Sequence, residues 1–210
     1  MPDLAQSDNQ SAAQRLPQHF ILPQAELWLW RNWLSQARAQ RYLWQLQQEL
    51  NWQQPQLMLF GKEVPIPRQQ VWMGDAHCSY RYSGVTFQPE PWHPLVWQLT
   101  LWVNQQLNRN FNCVLLNLYS QGQSHMGWHS DDEPELGVAP DIASLSLGQS
   151  RRFDLKHKTQ EHQLSISLEN GDLLLMMAPC QQHWQHRVPK QSKADSARLN
   201  LTFRYIKPPS

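Results

Sequence analysis

His129 and Asp131 lie two positions apart in the run His129-Ser130-Asp131, and both side chains are good metal ligands. On an extended strand, residues i and i+2 point to the same face, so this spacing brings an imidazole and a carboxylate together. A second histidine would complete a set of two histidines and one carboxylate. That set occupies one face of an octahedral Fe(II) and leaves positions open for a cosubstrate and O2. A pair this short also occurs by chance in surface turns, so the run alone does not decide.

The second histidine has four candidates downstream: His157, His162, His183 and His186. His157 lies in a cationic run, Lys156-His157-Lys158, where a solvated edge is expected, and His162 lies in a polar turn. His183 and His186 both follow an apolar strand. His186 precedes Val188 and Pro189 at a strand end that can face a cavity, which favours it slightly, but spacing alone leaves both open.

A second pattern is the alternation in 198–204, where polar and apolar residues follow each other strictly. Period-2 alternation places the polar members on one face, namely Arg198, Asn200, Thr202 and Arg204. One interpretation is a half-exposed strand with its polar side in water. The other is a receptor for a dicarboxylate such as 2-oxoglutarate, because guanidinium groups bind carboxylates bidentately. Asn117 and Tyr119 share a strand face in the same way, either as ligand contacts or as a satisfied core pair.

These residues require elements to position them, and the sequence predicts an α+β chain that is mainly β. A strand is expected at Leu27–Trp30, a helix capped by Ser35 runs to about Leu50, and a second helix spans Pro94 to Asn108. Residues 55–75 contain prolines and a glycine, which indicates short strands and turns. From Phe111 onward, short apolar runs separated by glycines indicate a sandwich or barrel.

Composition limits the remaining classes. The net charge of +1 gives no overall basic field, so any nucleic-acid contact must come from a local patch. The three cysteines form no CxxC motif and predict reduced thiols. We expect a mobile tail at 1–18 without a signal peptide, no membrane span, and a cytoplasmic location.

The order of these motifs resembles the AlkB family of alkylated-DNA repair dioxygenases, especially the subgroup of the human nuclear homologue that acts on double-stranded DNA. The resemblance covers about residues 55–206, from Asn117-Leu118-Tyr119 through His129-Ser130-Asp131-Asp132-Glu133 to Trp184-Gln185-His186 and the strand at 198–204. It implies a double-stranded β-helix (jelly-roll) barrel at 111–207, preceded at 19–110 by a strand and helix extension with a nucleotide-recognition lid. It also implies that His129, Asp131 and His186 bind Fe(II). The implied 2-oxoglutarate contacts are Asn117, Tyr119, Arg198, Asn200, Thr202 and Arg204, with Arg198 on the distal carboxylate and Arg204 nearer the metal.

The resemblance also implies residues that contact the substrate. Tyr82, with Tyr80 and Arg81 beside it, corresponds to the lid aromatic that stacks on a flipped base. Phe60, in the run Phe60-Gly61-Lys62, corresponds to a hairpin residue that fills the gap left in a duplex, although a core role in a turn is the alternative. Asp132 and Glu133 would complement the positive charge of an alkylated base.

The implied reaction is the oxidative demethylation of N1-methyladenine and N3-methylcytosine. It uses Fe(II), 2-oxoglutarate and O2 and releases succinate, CO2 and formaldehyde. The expected partner is alkylated DNA, as a duplex, bound by a monomer in the cytoplasm (on the nucleoid if the source is a bacterium); RNA or protein substrates are the alternative. Phosphate contacts are predicted at Lys62, Arg68, Arg151, Arg152, Lys156, Lys158, Arg187, Lys190 and Lys193, with Arg151-Arg152 and Lys156-His157-Lys158 favoured. A non-catalytic barrel or a zinc hydrolase would not need both the metal set and the cationic strand.

Overall fold

A computed structural model describes residues 16–59, 62–82 and 85–208. The helices are α1 (Gln36–Glu49), α2 (Pro94–Leu107) and the short α3 (Cys180–His183), with a 3-10 turn at Pro134–Leu136. The strands are β1 (Gln18–Leu22), β2 (Ala25–Trp30), β3 (Gln56–Leu59), β4 (Lys62–Pro65), β5 (Gln69–Gly74), β6 (Tyr80–Tyr82), β7 (Val85–Phe87), β8 (Cys113–Tyr119), β9 (Met126–His129), β10 (Ile142–Gly148), β11 (Arg151–His157), β12 (Gln163–Leu168), β13 (Leu173–Met177), β14 (Trp184–Val188) and β15 (Arg198–Arg204).

Both long helices form where the sequence predicts them. The Ser35 side chain accepts a hydrogen bond from the Arg38 backbone N–H and caps α1, which satisfies one of the free donors of the first turn. Pro94 starts α2, and Asn108 ends it in the left-handed conformation with φ 50°. Each helix buries an apolar stripe against the sheet, so packing rather than intrinsic propensity stabilises it.

Two antiparallel sheets form the centre of the fold. The large sheet has the order β1-β2-β13-β10-β15-β8-β5, and the small sheet has the order β12-β11-β14-β9. Side chains from both sheets share one buried cluster, which includes Leu115 of the large sheet and Phe153 of the small sheet, so the sheets face each other. The predicted jelly-roll arrangement is therefore confirmed. Two hairpins, β3–β4 and β6–β7, stand apart from these sheets.

Strand β15 lies in the middle of the large sheet, and all seven of its residues are buried. Leu199, Leu201 and Phe203 belong to the cluster that packs under α1 and α2. Burying such side chains contributes about 1.5–3 kcal/mol each. The opposite, polar face therefore points into the space between the sheets. The half-exposed interpretation of this strand is wrong, because neither of its faces meets water.

Three details differ from the sequence-based expectations. Strand β1 begins at Gln18, inside the predicted tail, whereas residues 1–15 lie outside the described part. Strand β9 ends at His129 and does not extend to Asp131 as expected, and His186 lies in the middle of β14 rather than at a strand end. Both strands are short and mix polar with apolar residues, so neither carries a clear periodic signal. In the part of the chain that the structure describes, no helix combines the length and apolar character that a membrane crossing requires.

Candidate active site

The structure brings His129, Asp131 and His186 together. Their ligand atoms all lie within 4.8 Å of one another, and Nε2 of His186 is 3.8 Å from Oδ2 of Asp131. The register explains the pairing, since His186 of β14 lies directly opposite His129 of β9. His183 is on α3, where its ring stacks near that of His157 instead. Geometry therefore selects His186 between the two candidates that spacing left open.

An irregularity in β9 directs its side chains. His186 pairs with His129 while Val188 pairs with Met126, so three steps along β9 match two steps along β14. Such a bulge lets Met126 and His129 line the same cavity despite their odd spacing. Asp131 lies beyond the end of β9, so the strand alternation expected at 129–131 does not explain its position.

A hydrogen bond fixes the tautomer of His129. Its Nδ1 lies 2.9 Å from the carbonyl oxygen of Gly127. Because a carbonyl only accepts, Nδ1 carries the proton and Nε2 presents a lone pair. Metal-binding histidines are commonly oriented in this way, by a hydrogen bond from the nitrogen that does not bind the metal.

The charge state of the cluster suits a divalent cation. Burial raises the pKa of Asp131, but Arg204 and the two histidines together outweigh it and hold that pKa at about 2. Burial and the neighbouring His129 lower the pKa of His186 to about 3, against the opposing effect of Asp131. At neutral pH the carboxylate is therefore ionised and His186 is neutral, so neither group must lose a proton before it binds metal.

The same cavity contains most of the predicted anion-binding residues. Asn117, Tyr119, Asn200, Thr202 and Arg204 all line it, together with the three candidate metal ligands. A hydrogen-bond network orders this wall: Asn200 donates to Ser144 Oγ at 2.8 Å and Thr202 donates to Asn200 Oδ1 at 3.3 Å. Polar side chains held in this way are preorganised for a ligand with several acceptor oxygens.

Arg198 lies beside the cavity rather than in its lining. Its guanidinium carbon is 5.4 Å from the ring centre of Tyr119, and Nη2 donates to Ser146 Oγ at 2.9 Å. Nε and Nη1 are buried and have no hydrogen-bond partner in the described part of the chain. Burial lowers the pKa of Arg198 to about 10, although Tyr119 opposes this shift. Because a buried cation with unsatisfied donors is costly, this end of β15 fits an anionic ligand.

Comparison with known proteins agrees with this geometry. The sequence matches the 2OG-Fe(II) oxygenase superfamily over residues 26–204. It is 35% identical to the DNA oxidative demethylase ALKBH2 of Mus musculus over 185 residues, which cover 83% of this chain and 77% of that one. This chain belongs to the AlkB family of 2OG-Fe(II) oxygenases.

Other relatives of this AlkB-family chain are longer. It is 36% identical to alpha-ketoglutarate-dependent dioxygenase alkB homolog 3 of Mus musculus over 190 residues, and this alignment covers 86% of this chain and 66% of the relative. It is 38% identical to ALKBH2 of Bos taurus over 160 residues, and this alignment covers 72% of this chain and 58% of the relative. The chain thus spans about two thirds of the first of these proteins and less than three fifths of the second. The solved structure of OsALKBH1 shares the fold, with a TM-score of 0.61 at 19% identity, covering 89% of this chain and all of that one.

The AlkB-family chain has residues that fit the cofactors of the superfamily. Fe(II) fits the ionised Asp131 and the two histidine nitrogens, which are the donor set expected for this metal. The 2-oxoglutarate dianion fits the polar wall of β15 and the unsatisfied donors of Arg198. The fit rests on the chemistry of these donors and on their burial.

The predicted substrate contacts remain predictions. Phe60 and Gly61 lie outside the described residues, and Lys62 is exposed at the start of β4. Tyr80, Arg81 and Tyr82 form strand β6 of a hairpin whose side chains are not described. Asp132 is exposed and forms an ion pair with Lys158 at 3.2 Å, and Glu133 is half-buried before the 3-10 turn.

Two predicted phosphate contacts are wrong. Arg68 is buried and donates to Oδ1 of Asn117 at 2.8 Å. Arg151 is 1% exposed, and its Nη2 donates to the carbonyl oxygens of Ser124 and Pro189 at 2.7 and 2.8 Å. A guanidinium held inside in this way cannot reach a phosphodiester. The expected solvated edge at His157 is also wrong, since its side chain is buried and its Nε2 lies 3.0 Å from Oε1 of Gln24.

Some site residues were missed in the sequence. Ser144 and Ser146 accept hydrogen bonds from Asn200 and Arg198, respectively. Their signal was two serines at period 2 within the otherwise apolar strand β10, which indicates a polar stripe on one face. Gln181 contacts the backbone of Asp131, and nothing in its local sequence distinguishes it from the neighbouring glutamine.

Proposed function

We propose that this chain is an Fe(II)- and 2-oxoglutarate-dependent dioxygenase that oxidatively demethylates N1-methyladenine and N3-methylcytosine in DNA. The observation that carries the proposal is that one buried cavity joins the candidate metal ligands to the polar face of β15. A metal site alone would also suit a hydrolase, but a hydrolase has no use for a buried dicarboxylate receptor. The names of the ALKBH2 relatives, DNA oxidative demethylases, support the substrate class.

In this proposal each group on the wall has a role. His129, Asp131 and His186 hold Fe(II), which when bound with 2-oxoglutarate supplies the means to activate O2. Arg198 binds the distal carboxylate of 2-oxoglutarate through its unsatisfied Nε and Nη1 donors. Arg204, which donates to Oδ1 of Asp131 at 2.5 Å, lies at the metal end. Asn117, Tyr119, Asn200 and Thr202 satisfy the remaining oxygens.

The proposed reaction uses both oxygen atoms of O2. One oxygen atom of O2 enters succinate, as 2-oxoglutarate loses CO2, and the other is inserted into a C–H bond of the N-methyl group. The resulting N-hydroxymethyl base is unstable and loses formaldehyde, which restores the unmodified base. Apolar side chains complete the cavity and limit water near the reacting atoms, namely Leu115, Met126, Phe153, Met176 and Val188.

A basic and aromatic surface supports contact with a nucleic-acid backbone. The outer basic face, as we term it, comprises Trp128, Arg152, Lys156 and Arg187 on the solvent side of the small sheet. Nζ of Lys156 and the guanidinium carbon of Arg187 lie 4.6 and 4.4 Å from the Trp128 ring centre. Asp154 pairs with Arg152 and Arg187, which leaves a net excess of positive charge. Because the whole chain carries only +1, this local excess is the better guide to phosphate binding.

The choice of these two lesions comes from the family resemblance, and their charge and pairing support it. N1-methyladenine and N3-methylcytosine are cationic, and methylation at these atoms blocks base pairing, which lowers the cost of extruding the base. The predicted contacts Asp132, Glu133 and Tyr82 would offer carboxylates and a π face to that cation. The duplex preference depends on Phe60, whose role is carried over from the resemblance.

Formaldehyde release from matched oligonucleotides tests this proposal. The three arms carry one 3-methylcytosine in single-stranded DNA, in duplex DNA and in RNA, and His186→Ala is the inactive control. We expect turnover on both DNA arms, and Phe60→Ala should lose activity on the duplex while keeping it on the single strand. Turnover confined to RNA would replace the DNA substrate with RNA. No formaldehyde in any arm would reject the demethylase function.

A further inference from the structure

Gln181 occupies the second position of α3, the short helix that leads directly into β14. Gln181 is 1% exposed, whereas the adjacent Gln182 is exposed and its side chain donates to the Val138 carbonyl oxygen. The long polar side chain of Gln181 is thus fully removed from water. A buried amide is costly unless its oxygen and nitrogen both find partners.

The oxygen of this amide is used on the metal-binding segment. Oε1 of Gln181 accepts a hydrogen bond from the backbone N–H of Asp131 at 3.0 Å. Because a backbone N–H can only donate, this contact also fixes the orientation of the amide, and its Nε2 then faces Sδ of Met176 at 3.6 Å. Met176 lines the cavity, so the amide connects the backbone of one candidate ligand to the cavity wall.

Two further side chains, Ser130 and Lys158, link the same segment to α3 and to the start of β14. Ser130 Oγ donates to the carbonyl oxygen of Trp184 at 2.9 Å. Nζ of Lys158 contacts both the carbonyl oxygen of Gln181, at 3.0 Å, and the carboxylate of Asp132, at 3.2 Å. Residues 130, 131 and 132 are therefore each linked to α3 or to the start of β14, the strand that carries His186.

The position of Asp131 requires this support, because β9 ends at His129 and gives Asp131 no strand partner. Arg204 holds the carboxylate from inside the large sheet. Gln181 holds the backbone from the opposite end of the residue. With both contacts, the direction of the carboxylate is set by two groups that lie far apart in the sequence.

We propose that Gln181 is a positioning residue for the metal site, which fixes the backbone of Asp131 so that its carboxylate faces the two histidines. The proposal rests on the proposed function in one respect, namely that Asp131 binds the metal. Removing the acceptor leaves a buried N–H unsatisfied and allows the residue to turn. Loss of groups that orient a metal ligand commonly weakens metal affinity by about 10- to 100-fold.

Titration of Mn(II) into the metal-free full chain, followed by calorimetry, tests this role without turnover. Gln181→Met keeps the volume and removes the acceptor, whereas Gln181→Glu keeps an acceptor oxygen. Gln182→Met makes the same chemical change at the exposed neighbour. We expect Gln181→Met to bind Mn(II) about 10- to 100-fold more weakly, Gln181→Glu to bind more tightly than Gln181→Met, and Gln182→Met to match the wild type.

The thermal midpoint and near-ultraviolet circular dichroism of the metal-free variants separate positioning from folding. A weakened Mn(II) affinity with an unchanged metal-free fold supports the proposal. Equal affinity in Gln181→Met and the wild type overturns it, and so does equal weakening in Gln181→Met and Gln181→Glu. If Gln181→Met does not fold, Gln181→Asn replaces it, because asparagine keeps the amide but is too short to reach. A wild-type chain that binds no Mn(II) would instead count against the proposed function.

Discussion

The two ends of β15 hold buried arginines that differ in their counter-ion. At one end, Arg204 donates to Asp131 at 2.5 Å and so has a carboxylate of the protein as its partner. At the other end, Arg198 donates to Ser146 Oγ and packs beside the ring of Tyr119, and no carboxylate of the described residues forms an ion pair with it. The same side chain on the same strand thus has a structural counter-ion at one end and none at the other.

This difference indicates that Arg204 has a structural role, whereas Arg198 is available to bind an anionic ligand. The charge of Arg204 stabilises the ionised Asp131 and keeps its pKa at about 2. The charge of Arg198 is a cost to the fold, as the fall of its pKa to about 10 through burial indicates. An apolar residue of similar size would be more stable at position 198, so we attribute the buried charge of Arg198 to ligand binding.

The largest expected effect comes from removing the paired arginine. Arg204→Met should destabilise the metal-free protein by about 3–5 kcal/mol, because it leaves Asp131 as an uncompensated buried charge. Urea unfolding, with both proteins free of metal, measures this change. A loss below about 1 kcal/mol would show that Arg204 and Asp131 are not a structural pair and would remove the contrast between the two ends.

Removing the other arginine should give the opposite profile. We expect Arg198→Met to leave the free energy of unfolding unchanged or raised, since it removes unsatisfied buried donors. The same variant should raise the KM for 2-oxoglutarate about 100-fold, the effect of losing two charge-assisted hydrogen bonds. Arg198→Lys, which keeps the charge without the planar fork, should fall between the two. Destabilisation of Arg198→Met together with an unchanged KM would reverse the assignment.

The metal end should also make stability depend on pH. His186 has a pKa of about 3 when folded and an ordinary value of 6.5, so between these values the unfolded chain binds a proton that the folded chain does not. Stability of the metal-free protein therefore falls as pH decreases through this window, by up to about 1.4 kcal/mol per pH unit. Asp131 adds a loss of the same sign between 3.8 and about 2. Urea unfolding at about pH 7 and about pH 5 should show a smaller difference for His186→Gln than for the wild type; equal differences would contradict the shift.

The smallest effect concerns the outer basic face, which belongs to the small sheet and not to the sheet that contains β15. Lys156→Ala and Arg152→Ala should weaken DNA binding at all sequences and each lower the slope of log K against log salt by about 0.9. Lys207→Ala, which removes an exposed lysine outside this face, is the control. Fluorescence anisotropy of a labelled duplex over a series of salt concentrations provides the measurement. An unchanged slope in both variants would exclude this face from the phosphate contacts.

Prediction from the sequence succeeded where one strong local pattern determined the structure. The alternation of Arg198 to Arg204 and the cap at Ser35 both express backbone geometry that short segments impose. The same rule could have corrected Arg151, since it shares a face of β11 with the apolar Phe153 and Leu155, whereas Arg152 points outward.

Other features depended on contacts between distant segments. The bulge in the pairing of β9 with β14, and the hydrogen bond from the Asp131 backbone N–H to Gln181, both involve residues that are 50 or more positions apart. The choice between His183 and His186 likewise required the register of β14 on β9, or the family resemblance. Long-range pairing of this kind leaves no periodic signal in either segment alone.

The most direct test is to measure succinate and formaldehyde together in one anaerobically prepared reaction started with air. The reaction contains Fe(II), 2-oxoglutarate and a 3-methylcytosine duplex. We expect equal amounts of the two products from the wild type, and their parallel loss in His186→Ala. We also expect Arg198→Met to regain both products when the concentration of 2-oxoglutarate is raised. Formaldehyde formed without succinate, or full activity of His186→Ala, would contradict the proposed reaction.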